Sequence, residues 1–237
     1  MMLKSKQLFV LMLFVLLPAG LSAQRGERPQ IGQVITFGVH IDPVISWFSS
    51  DIDSVRNDGA RSGFNFGISA YRYFGPNYAI STGVNLISAG GRLKTRNATT
   101  FDLTTGVDPV VPANTPVVYK IQYLSVPIGL KLQTNQIGFI TFFTDLGIDP
   151  KLVIGKKVDI DELENQKAPG EIKPFNISYH VIAGIEYDMG GNTAMVLGLG
   201  FDNNFADITK DYDKLPFNQP KDKISHKLLS IRIGINF

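Results

Sequence analysis

From Ile35 onward, apolar and polar residues alternate one by one. Ile35, Phe37, Val39, Ile41, Pro43, Ile45 and Trp47 share one parity, with Thr36, Gly38, His40, Asp42, Val44 and Ser46 between them. A period of two sends successive side chains to opposite faces of an extended strand. The run is about 13 residues long, where a soluble strand usually has roughly five or six. A tilted strand crossing a bilayer needs about 9–11.

The pattern returns along the whole chain. A second segment sets Phe64, Phe66, Ile68 and Ala70 against Gly63, Asn65, Gly67 and Ser69. A third sets Tyr78, Ile80, Thr82, Val84 and Leu86 against Ala79, Ser81, Gly83 and Asn85. The fourth opens with Tyr119, Ile121 and Tyr123 on the apolar parity, then shifts to Leu124, Val126, Ile128, Leu130 and Leu132. A one-residue shift of this kind predicts a β-bulge, and Pro127 beside it disfavours a regular ladder. The fifth, Ile140 to Leu152, is less regular, with Phe139 and Phe143 on the polar parity. Phe175–Tyr187, Met195–Phe205 and Leu229–Phe237 supply the sixth, seventh and eighth.

The connections alternate too. Short ones fall at Gly75–Asn77, Gln133–Ile137 and Asp188–Asn192, and long polar ones at Ser49–Arg61, Gly90–Pro116, Gly155–Pro174 and Ala206–Ser225. Eight strands with short turns at one end and long loops at the other predict an all-β fold, an eight-stranded antiparallel transmembrane up-and-down β-barrel of the outer-membrane kind. Both termini then lie at the short-turn, periplasmic end, and the long loops are extracellular. A soluble barrel of the lipocalin type would also alternate, but its outer parity would be rich in Lys and Glu. Here the polar parity carries Gly38, Gly67, Gly83, Gly147, Gly184 and Gly198, with Ser69, Ser81, Ser125 and Ser178. Small residues suit a narrow interior, so the apolar parity is assigned to lipid. Phe74, Tyr78, Tyr187 and Phe237 at the short-turn end, and Trp47, Phe64, Tyr119, Phe175 and Phe205 at the other, form two aromatic girdles.

Composition sharpens this picture at three points. The chain of 237 residues has no cysteine, which excludes disulfides, thiol chemistry and a lipidated N-terminal Cys. Its mean hydropathy is close to zero, too low for a bundle of membrane helices. Lys4 and Lys6, the apolar run Leu8–Leu17 and Leu21-Ser22-Ala23 read as a signal peptide over residues 1–23; a retained anchor would need a longer apolar run. A short periplasmic lead (24–33) and the barrel domain (34–237) follow. Without Lys4 and Lys6, the 23 basic residues fall to the number of acidic ones, 21, so no basic surplus points to nucleic acid.

Chemistry-bearing residues concentrate on the inward parity. Asp42, Lys131, Asp145, Asp149, Lys151, Glu186, Asp202 and Arg232 all fall there, and buried charges must pair or stay wet. They are read as a structural lumen network, with Asp42, Lys131, Asp145, Glu186, Asp202 and Arg232 as its core members. His40, His180 and His226 lie on different strands without metal-ligand spacing. Ser178, His180 and Glu186 resemble a hydrolytic set, but Ser and His two apart on one strand have Cβ atoms roughly 7 Å apart. No catalytic, cofactor or metal residue is assigned. Asp159, Asp161, Glu162 and Glu164 lack EF-hand spacing, and a short solvated helix capped by Asp159 or Asp161 is expected there.

Tyr123-Leu124-Ser125-Val126-Pro127-Ile128-Gly129-Leu130-Lys131 resembles the YLEIPLLLK segment of small outer-membrane β-barrel proteins of the Bacteroidetes. Asn77–Val84, Gly184-Ile185-Glu186-Tyr187 and the terminal Ile233–Phe237 are similar to the same family. Ser125 stands where the family usually has Glu. The terminal Phe resembles the signal read by the outer-membrane assembly machinery. The resemblance implies outer-membrane lipid and that machinery as partners. Through its PorT-like branch it also implies other secretion-system proteins, with the chain as a helper of type IX secretion. A ligand-binding barrel, or one processing lipid or peptide through its lumen or extracellular loops, is the alternative.

Overall fold

The computed structural model describes residues 35–50, 55–96, 99–100, 110–160, 163–167, 172–205, 208 and 224–237. The expected signal peptide and lead lie outside these residues, as do Asp161, Glu162 and most of the connection after Phe205. The strands are β1 (Ile35–Ser50), β2 (Val55–Gly75), β3 (Tyr78–Thr95), β4 (Thr99–Thr100), β5 (Val110–Val111), β6 (Pro116–Ser125), β7 (Ile128–Gln133), β8 (Ile140–Ile160), β9 (Leu163–Lys167), β10 (Phe175–Gly190), β11 (Thr193–Asn204) and β12 (Ile224–Asn236).

Every pairing is antiparallel, and the pairings close on themselves. The order runs β10, β11, β12, β1, β2, β3, β6, β8, and β8 pairs β10 from Phe175↔Leu152 to Tyr187↔Ile140. β6 and β7 both pair β3 and β8, so together they make one stave, broken at Val126-Pro127. The ring therefore has eight staves, the eight segments that the alternation marks out. Its seam between the first and last strands is tied by Phe37 and Phe237, each donating its N–H to the other's carbonyl at 3.0 and 2.8 Å.

The two-residue turn between β10 and β11 follows from its residues. Gly191 and Asn192 have φ of 64° and 68°, the left-handed pair that a two-residue type I′ hairpin requires. Glycine and asparagine enter that region at least cost.

Three expectations are corrected. The fourth segment does not change its facing. Val117, Ile121, Tyr123, Ser125 and Lys131 are all buried on one parity, while Val126, Ile128 and Leu130 are exposed on the other. The apolar parity shifts because the upper inner face is itself apolar, so Tyr119, Ile121 and Tyr123 belong to the interior and not to a girdle. The bulge lies on the neighbouring strand, where Gln122 pairs Gly155 and Tyr123 pairs Val153, leaving Ile154 extra.

The long connections are also shorter than expected. β2 begins at Val55, β3 continues to Thr95 and β8 to Ile160, raising the β2–β3–β6–β8 side of the ring. Backbone pairing continues there because extended polar chain in a ladder satisfies its N–H and C=O groups. Finally, the expected helix near Asp159 is a β8–β9 hairpin. Ile160 pairs Leu163, and Asn165, at φ 56°, donates its N–H to the Asp159 carboxylate at 2.6 Å.

The outward face of the ring is apolar and largely aliphatic, with Ile41, Ile80, Leu146, Leu197 and Ile233 among its large exposed residues. Inside, the long-connection end holds an apolar cluster that includes Phe48, Ile87, Leu93, Ile121, Tyr123 and Leu228. Ile172 and Ile208, from the connections, are buried in it at 1% and 2% exposure. Lys173 N–H donates to Ile208 C=O at 2.8 Å, and Ile208 N–H to Ile224 C=O at 3.1 Å. These bonds hold the two inserted segments against the wall.

Crowding between adjoining strands on the narrow inner face requires glycine. A Cβ on Gly147 would lie 2.6 Å from the Gly129 Cα and 2.6 Å from His180 Cε1. Overpacking of this kind costs about 1–3 kcal/mol. Gly147→Val is therefore expected to lower the unfolding free energy by that amount and the urea midpoint with it, while Ile148→Val, on the outward face, leaves both nearly unchanged. Urea titration followed by fold-dependent gel migration measures both.

Candidate functional site: the polar lumen

Below the apolar cluster, the strand register gathers the inward charges into four groups. Asp42 is the hub of the first. Asn65, directly opposite on β2, donates Nδ2–H to Asp42 Oδ2 at 2.8 Å. His40, two residues along the same face, approaches it at 3.0 Å, and Arg232 Nη2 on β12 at 3.3 Å.

In the second group, His180 sits opposite Gly147, with Asp145 and Asp149 two residues to either side on the same face. Its Nε2 lies 3.6 Å from Asp145 and its Nδ1 3.5 Å from Asp149. Ser81 donates to Asp145 at 2.7 Å and Ser125 to Asp149 at 3.3 Å. The sequence Asp145-Leu146-Gly147-Ile148-Asp149 is thus a cradle: glycine leaves room for the imidazole, and period two aims both carboxylates at it. That spacing was the available signal for the role of His180, which strand-by-strand reading does not assign.

The third group pairs Lys151 Nζ with both carboxylate oxygens of Asp202 at 2.7 Å, and Ser178 donates to the same carboxylate at 2.8 Å. The fourth lies nearest the short-turn end. Lys131 is ion-paired with Glu186, which also accepts a hydrogen bond from Asn236 Nδ2 at 2.7 Å. The Lys131 ammonium stands 4.1 Å over the Tyr71 ring and 5.0 Å from that of Phe143. Cation–π contact supplements an ion pair removed from water.

All six expected network members are therefore placed inward: Asp42 and Arg232 in the first group, Asp145 in the second, Asp202 in the third, and Lys131 and Glu186 in the fourth. They do not form one continuous chain. Ser178, His180 and Glu186 each bond to a different group, so the hydrolytic resemblance has no geometry behind it. His226 belongs elsewhere, in the apolar cluster. Its Nε2 is 3.3 Å from Gly90 C=O and its Nδ1 3.0 Å from Tyr123 Oη. A carbonyl can only accept, so Nε2 carries the proton and Tyr123 donates to Nδ1, an arrangement that suits a neutral ring.

Between the apolar cluster and the Tyr71–Lys131 layer lies a cavity of about 60 Å³. Its lining includes His40, Asp42, Asn85, Asp149, His180 and Arg232. Asn65 Oδ1, Asn85 Oδ1, His180 Nδ1 and Arg232 Nε are buried there without a hydrogen bond from the protein. Each water needs at least roughly 10–15 Å³, so the space accommodates a few waters and excludes a sugar, lipid or peptide. Among the described residues, no three His, Asp or Glu side chains are arranged to hold a metal ion.

This closed ring, with an aliphatic outside and a polar inside, fits what comparison with known proteins finds. The family model for the outer membrane protein beta-barrel domain matches residues 23–210, and the chain belongs to that family. Its membrane is thereby the outer membrane. Among solved structures it is similar to OprG from Pseudomonas aeruginosa (13% identity, 89% of this chain and 99% of that one, TM-score 0.45). It is also similar to neisserial surface protein A (16% identity, 84% and 95%, TM-score 0.41) and to Ail of Yersinia pestis (11% identity, 85% and 98%, TM-score 0.40). No curated protein matches the chain significantly.

Breaking a buried pair by removing one partner costs about 3–5 kcal/mol, because the other charge is left uncompensated. Lys131→Met is expected to destabilise the fold by that amount, and the double variant Lys131→Met with Glu186→Gln to recover most of it. A double-mutant cycle on chemical denaturation measures the difference.

Proposed function

We propose that the chain is a closed transmembrane barrel that works from its surfaces, as a structural or interaction protein of the outer membrane, and not as a conduit. One observation carries this reading: the lumen is filled at two levels. The apolar cluster with Ile172 and Ile208 occupies the long-connection end, and the Lys131–Glu186 pair under Tyr71 and Phe143 occupies the other. An eight-stranded barrel has an interior about filled by its side chains. What remains for contact with other molecules is the outer wall, the raised β2–β3–β6–β8 rim and the turns.

In this reading both termini and the short turns face the periplasm, and the long connections face outward. The PorT-like resemblance adds a finer proposal, that the partners are components of type IX secretion. A small ligand in the cavity near His180 is the second reading, favoured by the four polar atoms there that lack a hydrogen bond from the protein, and the volume restricts it to something of few atoms.

The test is conductance, together with recovery of partners. The purified protein in a planar bilayer is expected to show no current above leak, and the native protein, extracted in mild detergent, to carry a stoichiometric outer-membrane partner. Steady single-channel steps would overturn the closed barrel. Unimpaired protein secretion in a deletion strain would remove the secretion role while leaving the barrel in place.

A further inference from the structure

The outward wall differs between its two halves at the long-connection end. On the β10–β11–β12–β1 half, that level is mainly aromatic: Tyr179 packs 5.3 Å from Phe205 and 6.3 Å from Phe201, with Phe175 exposed and Trp47 half-buried on the same side, and with Lys227, opposite Trp47, as a cation among them. On the β2–β3–β6–β8 half, Phe64 is the exposed aromatic residue at that level, and the outward face above it carries a group of cations. Leu93 and Tyr119 pack in inner clusters, so their neighbours Arg92, Lys94 and Lys120 point out. Arg56 pairs Lys94 across β2–β3, and Lys120 pairs Lys157 across β6–β8, which puts Arg56 and Lys157 on the outer face as well.

These five cations begin where the aliphatic wall ends. Lys157 is the next outward side chain after the exposed Ile154, beyond the bulge, and Arg92 follows Leu86, Ser88 and Gly90 on the outward parity of β3. Only two acids among the described residues answer them: Asp58 pairs with Lys94 at 2.7 Å and Asp159 with Lys120 at 2.5 Å. Arg56, Arg92 and Lys157 have no ion pair among the described residues. Like charges directly opposite across a ladder are destabilising, yet this wall has two such pairs. An anion outside the protein would offset that cost.

We propose that the outward face of the β2–β3–β6–β8 extension binds the phosphate groups of the phosphorylated glycolipid in the outer leaflet. The position supports a lipid headgroup as the source, because the cations stand directly above the lipid-facing belt, where such phosphates lie. Arginine forks grip phosphate oxygens in a bidentate manner, and lysine contributes point charge. The aromatic half would anchor the barrel by ring insertion, and the cationic half by phosphate.

The inference rests on the membrane insertion proposed above, and the experiment reads the two separately. Full-length protein is reconstituted into phosphatidylcholine vesicles containing either the phosphorylated glycolipid or its enzymatically dephosphorylated form. Insertion is scored by resistance to carbonate extraction, and glycolipid retained after detergent re-extraction by mass spectrometry. Wild type is expected to retain the phosphorylated form selectively. The triple variant Arg92→Gln, Lys120→Gln, Lys157→Gln should insert normally and lose roughly fivefold in retention per cation removed. Arg72→Gln, an exposed position at the short-turn end of β2, should behave as wild type, and millimolar inorganic phosphate should not displace the lipid. Insertion with equal retention of both glycolipids, or a triple variant that retains as much as wild type, overturns the proposal and leaves the barrel standing. Displacement by inorganic phosphate overturns the lipid as source. Failure of the wild type to insert overturns both readings.

Discussion

Hydrocarbon offers no partner for a peptide group, and this one constraint organises the molecule. An open sheet edge in lipid would leave a row of N–H and C=O groups unbonded, each costing several kcal/mol. The ring therefore has to close, and it does so through two junctions: β8 with β10, and β1 with β12, where Phe37 and Phe237 exchange backbone hydrogen bonds. Where the ladder is interrupted at Val126-Pro127, neighbouring chain supplies what the ladder lacks. Val126 N–H donates to Pro150 C=O at 3.1 Å, and Thr82 Oγ1 donates to Pro127 C=O at 3.0 Å.

Closure with eight staves sets the rest. A ring this narrow and strongly curved crowds the inner faces of adjoining staves, so that glycine is required at Gly147 between Gly129 and His180, and Asp145 and Asp149 reach His180. Charges so confined cannot be left single, so the lumen resolves into local groups with Lys131–Glu186, Lys151–Asp202 and Arg232–Asp42 as their ion pairs. The same narrowness lets two short inserted segments, carrying Ile172 and Ile208, fill the mouth with apolar contacts.

The staves and their facing were legible in the residues because period two is a direct imprint of a two-faced wall. Ile35 to Trp47 and Leu229 to Phe237 show it without interruption. What failed to show was any feature in which both faces are apolar. Tyr119, Ile121 and Tyr123 read as lipid-facing because the single-parity rule cannot distinguish an apolar plug from an apolar membrane face. The raised rim was hidden for the opposite reason: Val55–Ser62 and Lys156–Ile160 are extended polar chain in a ladder, and polar composition reads as loop. In the site, the inward charges were identifiable by parity alone, but their pairing depends on cross-strand register. Only the Asp145-x-Gly147-x-Asp149 spacing carried part of that within one segment.

The single tryptophan of the chain, Trp47, reports whether the apolar face meets lipid. It lies on the outward parity of β1, toward the long-connection end, between Ile45 and the aromatic residues of that rim. Its fluorescence can be measured in vesicles of lipids brominated at different depths. Bromines near the headgroup end of the acyl chain are expected to quench strongly, those at the bilayer centre more weakly, and aqueous iodide little. Strong iodide quenching with no response to brominated lipid would contradict a lipid-facing wall, because the apolar wall would then face water or protein instead.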